Sequence, residues 1–148
     1  MTPLNRLVPA TLAAIALAAC MQHAQSNPPA SLDLSLARPT ESGTYIVQIE
    51  PPAPAPKVNQ IHSWQIELRT KTGEPVQGAQ ILVSGGMPEH GHGFPTEPRV
   101  TAQSQPGHYL LEGMKFNMTG WWEIKLKVES PLGQDDVTFN TVLPAKKS

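Results

Sequence analysis

The chain of 148 residues contains one cysteine, Cys20. An intramolecular disulfide is therefore excluded, and the fold must rest on its packed core. Charge is sparse: Asp, Glu, Lys and Arg supply 16% of the residues, and 11 basic residues nearly balance 12 acidic ones. Without a basic stripe, nucleic acid is not an expected partner. No segment sustains the 3.6-residue apolar period of a helix, so crossover helices are missing and a parallel sheet is not expected. The common catalytic frames are missing too. Ser84-Gly85-Gly86 lacks the G-x-S-x-G setting of a nucleophile elbow, and neither common phosphate-cradling loop is present. The carboxylates are scattered, and the one adjacent pair, Asp135-Asp136, reads as a turn. The chain is not expected to be an enzyme.

The longest apolar run, Leu7 to Ala19, follows a short and weakly basic start. It falls short of the roughly 20 residues that a mature spanning helix needs, and it reads as a signal peptide over residues 1–19. Leu17-Ala18-Ala19-Cys20 has the form of a bacterial lipobox. On that reading Cys20 is lipidated and anchors the mature protein to a membrane. The alternative is an ordinary cut between small residues with an incidental cysteine. Met21 rather than Asp follows Cys20, which in known lipoproteins leans toward the outer membrane over the inner one. Residues 20–31 are polar and read as a flexible tether. Residues 32–144 remain as one domain.

Within that domain, apolar residues alternate with period two. Leu32, Leu34 and Leu36 form one such run, and Tyr45, Val47 and Ile49 the next. Pro51 to Pro56 holds four prolines, which cannot join a sheet interior and read as an extended surface connection. His62, Trp64, Ile66 and Leu68 share a face, as do Ala79, Ile81 and Val83. Tyr109 and Leu111 have odd numbers but Phe116 and Met118 even ones, which predicts a bulge near Gly113. Trp122, Ile124, Leu126 and Val128 face inward on the same logic, with Trp121 outward. Val137, Phe139, Thr141 and Leu143 close the domain. About seven or eight short strands with turn signals between them predict an all-β fold, an antiparallel β-sandwich of immunoglobulin-like type.

One stretch stands apart, Gly85-Gly86-Met87-Pro88-Glu89-His90-Gly91-His92-Gly93. Its Gly and Pro content forbids a regular element, and a ligand-rich loop on a β scaffold is a natural functional site. His90 and His92 are two residues apart. In an extended backbone their imidazoles project to one side, with Cα atoms about 6.5–7 Å apart. Imidazole suits zinc, copper, iron and nickel, whereas thioether sulfur favours Cu(I). Met87 lies just upstream, and Met114 and Met118 follow the expected bulge. His62 and His108 lie at strand starts and could approach the same edge. Each has a plainer reading: Met often fills core gaps, His62 beside Trp64 fits a hydrogen-bonded rim, and Glu89 is either a ligand or simply solvated.

The same residues resemble a known family. Gly86 to Gly93, Pro95-Thr96, Pro98 to Thr101, Gly107-His108-Tyr109, Glu112 to Met118 and Gly120-Trp121-Trp122 resemble the YtkA-like domain, which overlaps the group described as FixH-like. The resemblance runs from about Leu32 to Leu143 and is densest from Ile81 to Val128. It implies a small exported β-sandwich with suggested links to copper handling and oxidase maturation. It supplies no settled ligand set, and a lipobox here replaces the transmembrane anchor of FixH proper.

Two functions follow as expectations. The first is a lipid-anchored, periplasm-facing protein that binds copper, Cu(I) above all. Its ligands come from His90, His92, Met87, Met114, Met118 and His108, and a copper donor or acceptor protein is its partner. The second is a non-metal interaction module of the cell envelope, in which the glycines of the loop serve the backbone alone.

Overall fold

The computed structural model describes residues 29–103 and 105–145. The signal peptide, Cys20 and its lipidation, and most of the tether lie outside the described residues. Nine strands follow in order: β1 (Ala37–Pro39), β2 (Tyr45–Glu50), β3 (Ile61–Thr70), β4 (Gln80–Met87), β5 (His92–Gly93), β6 (Arg99–Ala102), β7 (His108–Lys115), β8 (Gly120–Ser130) and β9 (Gly133–Leu143). They form a five-stranded sheet, β1-β2-β3-β7-β6, and a four-stranded sheet, β5-β4-β8-β9. Every pairing is antiparallel. The antiparallel β-sandwich read from the alternation is the fold. The strand count exceeds the expectation because β1 and β5 are too short to carry a periodic signal.

Alternation becomes burial directly. β2 alternates buried and exposed residues along its whole length, because successive side chains of a strand point to opposite faces. Tyr45, Val47, Trp64, Ile66 and Leu68 of the first sheet meet Trp122, Ile124, Leu126 and Phe139 of the second in one core. Burying side chains of this size stabilises by about 1.5–3 kcal/mol each. Trp121 and Trp122 divide across their sheet as expected. Trp122 is fully buried, and Trp121 donates from its outer face to Asn140 Oδ1 at 2.9 Å.

Three readings of the sequence meet a different structure or a sharper one. Leu32, Leu34 and Leu36 do not form a strand. The Asp33 carboxylate accepts the Ser35 amide at 2.9 Å, which bends the chain, and Leu34 stays 51% exposed. The bulge near Gly113 is present. The register steps by two residues on β3, from His62 to Trp64, but by three on β7, from Met114 to Leu111. Gly113 takes the extra place at φ 76°, a conformation that glycine adopts without strain. Buried positions shift there from Tyr109 and Leu111 to Met114 and Phe116.

Asp135-Asp136 is no turn; both residues lie in β9. Asp135 is buried and latches the two sheets together. Its carboxylate accepts from Thr40 Oγ1 at 2.7 Å, from the Ser42 amide at 3.0 Å and from the Thr44 amide at 3.1 Å. Burial alone would raise its pKa, but these hydrogen bonds outweigh burial and hold the carboxyl well below the usual range. The sequence showed two neighbouring acids. It did not show that the β1–β2 hairpin, distant in the chain, would bring donors to one of them.

Candidate functional site

β4 ends where the backbone must pass unusually close to its neighbours. A Cβ on Gly85 would lie 2.1 Å from the Glu123 carbonyl oxygen, and one on Gly86 would lie 2.2 Å from that of His92. Only glycine allows the chain to fold back so tightly. Pro88 then opens a 3-10 turn over Pro88–His90, where its missing N–H costs nothing and its fixed φ fits. Gly91 ends the turn in the left-handed region at φ 66°, and its amide donates to the Met87 carbonyl at 3.0 Å. His92 opens β5, directly opposite Met87.

The backbone around His90 and His92 is therefore not the extended one that their spacing alone implies. A 3-10 turn and a left-handed glycine intervene, yet the imidazoles still end side by side. Their ring centroids are 5.8 Å apart and their planes differ by 25°. Directly opposed residues of antiparallel strands put their side chains on the same face, with Cβ atoms about 4.5–5.5 Å apart. Met87 and His92 stand in that relation. Met87 is 1% exposed, whereas both histidines are open to solvent. Two accessible imidazoles thus stand at a strand pairing whose other member, Met87, is buried. Next to them lies a shallow depression of about 190 Å³, with Gly86, Met87, His92, Glu123 and Lys125 among its walls. The Glu123 carboxylate is paired with Lys125 Nζ at 2.9 Å.

The other residues singled out in the sequence take different places. Met114 is fully buried and sits opposite His62 in the five-stranded sheet. Met118 lies between β7 and β8, 39% exposed, with its carbonyl accepting the Trp122 indole N–H at 3.1 Å. His108 does not approach the loop's edge. It pairs in register with Glu67, whereas His62 pairs with Met114. His108 and Met114 are therefore about 20 Å apart along β7 at the usual rise per residue. His108 Nε2 faces Glu67 Oε1 at 3.8 Å instead. Glu89 is exposed. Among the described residues no group of three or more His, Cys, Asp or Glu is placed to hold a metal.

His62 lies at the same end of the sandwich as the loop but has a different character. Its Nδ1 accepts the Trp64 indole N–H at 3.0 Å. In the neutral ring the proton must then sit on Nε2, so Nε2 has no lone pair for a metal. That Nε2 is buried without a partner among the described residues. Burial pushes its pKa down, which keeps the ring neutral.

An aromatic cluster ties this end together. Trp122 stacks on Phe94 with planes 2° apart and centroids at 5.8 Å. It packs on Phe116 at 5.1 Å and meets His92 at 6.3 Å with the planes 64° apart. Parity placed Trp122 inside, but its contact with His92 depends on how β5 folds back, which parity does not report. A larger apolar depression of about 300 Å³ lies among Leu34, Leu36, Pro51, Trp64 and Leu143. Among the described residues its walls carry no titratable or metal-ligating side chain.

The family model described as YtkA-like matches residues 40–127, more than half of the chain. No curated protein and no solved structure matches it.

Proposed function

We propose that this chain, which belongs to the YtkA-like family, is a copper-binding protein of the cell envelope that holds Cu(I) through His90, His92 and Met87. The observation that carries the reading is the pair of stacked imidazoles, His90 and His92, with Met87 opposite His92 in the β4–β5 ladder. Two imidazoles and a thioether are a borderline-to-soft donor set, which favours Cu(I) over harder ions. Two features support the reading: the imidazoles are accessible for loading, and Met87 is already desolvated. Met114 and His108 stand outside this set.

The protein would store the ion or pass it between a donor and an acceptor protein rather than catalyse. Lipidation at Cys20 would anchor it on the periplasmic side, at the outer membrane in preference to the inner. The test is a competitive Cu(I) titration of the protein beside its His90→Ala/His92→Ala variant. Affinity is expected to fall at least tenfold in the double variant, and unchanged affinity would sink the proposal.

The second reading, an interaction module without metal, draws on the glycines. Gly85 and Gly86 are required by backbone approach alone, so part of the motif needs no ion to explain it. On that reading both histidines are silent in the titration, while changes to the loop glycines damage stability.

A further inference from the structure

The copper reading leaves unexplained how an exposed imidazole in a glycine-rich turn is held in place. Glycine gives the flanking backbone wide freedom, and His92 makes no side-chain hydrogen bond among the described residues. What His92 does meet is Trp122. That indole is immobilised on several sides: it is fully buried, stacked on Phe94, packed on Phe116, and fixed in rotation by its N–H to the Met118 carbonyl.

We propose that Trp122 is a positioning residue for the copper site, holding His92 beside His90 and Met87 through an edge-on ring contact. This rests on the copper reading and adds to it how the ligand geometry is kept. Aromatic pairs with centroids 4.5–7 Å apart favour edge-to-face arrangements over open alternatives, and the observed 6.3 Å and 64° fall within that range. The arrangement does for His92 what a hydrogen-bonded outer residue does for most metal-ligating histidines, orienting the ring before the ion arrives. It leaves both ring nitrogens free of protein partners, so either can face the ion. It also explains why the sequence places an indole at position 122 when a smaller apolar side chain would satisfy the alternation: the core needs bulk there, and the site needs a rigid edge.

The experiment uses Trp122→Phe with Phe116→Leu as its control. Phe116 packs in the same cluster but makes no ring contact with His92 among those described. Two quantities are read: the Cu(I) dissociation constant, and the NMR shifts of the His92 ring protons in the metal-free protein. Losing an outer-shell contact typically costs 10–100-fold in metal affinity. Trp122→Phe is expected to weaken Cu(I) binding at least tenfold and to reduce the ring-current displacement of the His92 protons, because the phenyl ring is smaller than the indole and its edge lies farther away. Phe116→Leu is expected to lower the melting temperature while leaving both quantities near wild type. The proposal is overturned if Trp122→Phe leaves the His92 shifts unchanged, or if Phe116→Leu weakens binding equally. A wild-type protein that binds no Cu(I) would end the copper reading. The metal-free shifts would still decide whether Trp122 holds His92.

Discussion

Asp135 offers the sharpest test of how the sandwich is held closed. Replacing it with Ala removes the acceptor for one hydroxyl and two hairpin amides, from Thr40, Ser42 and Thr44. A hydrogen bond to a charged group contributes about 1.5–3 kcal/mol, and such terms are not additive within one network. The hairpin amides can reach water after a small opening, whereas Thr40 is buried. A loss of about 3 kcal/mol is therefore expected for Asp135→Ala. Asp135→Asn keeps one acceptor oxygen but turns an NH₂ toward donors, and about 2 kcal/mol is expected. The assay is urea unfolding. With a slope of about 1.5 kcal/mol/M, the midpoint of the Ala variant falls by about 2 M. The pH dependence carries a definite sign. The native carboxyl titrates below its ordinary value of 3.8, so its stabilisation is complete above that value and is lost as pH falls through the native pKa. The gap between wild type and Asp135→Asn should be full at pH 6 and should narrow steadily below about pH 4. A gap of under about 0.5 kcal/mol at pH 6, or one that does not narrow in acid, would refute the latch.

Three further outcomes test the corner that carries the histidines. Met87→Leu conserves volume and should cost under about 1.5 kcal/mol in stability, yet weaken Cu(I) binding in the same titration; His108→Ala, at the far end of β7, should leave binding untouched. Gly86→Ala must displace the His92 carbonyl, so a loss of about 2–4 kcal/mol in urea unfolding is expected, with β5 detached from β4 and faster amide exchange at His92 and Gly93.

The sandwich was legible because its strands are long and half-buried, so period-two alternation survives along β2, β3, β8 and β9. Even the parity change around Gly113 was readable, since a bulge leaves a numerical trace in which residues are apolar. The site was legible only in part. Its residue types marked the loop, but their grouping depended on two glycines that let β5 return onto β4, and that return put Met87 rather than Met114 beside His92. His108 looked eligible because the sequence does not say which end of a strand faces which loop. Asp135 was misread because its hydrogen bonds come from a hairpin more than ninety residues earlier in the chain.

The bulge in β7 has a consequence that reaches beyond its own strand. Removing Gly113 would not turn the strand's apolar side outward, for Met114 and Phe116 would then fall into step with Tyr109 and Leu111. Nor would it change the height at which they arrive, because three residues of β7 already span the length of two residues of β3 there, and Met114 would stay opposite His62. What would be lost is the bend and added twist that an extra residue gives a strand. The bulge sets how the end of β7 leans toward the second sheet, where Phe116 packs on the Trp122 indole. A one-residue deletion would keep alternation and register and re-aim that ring.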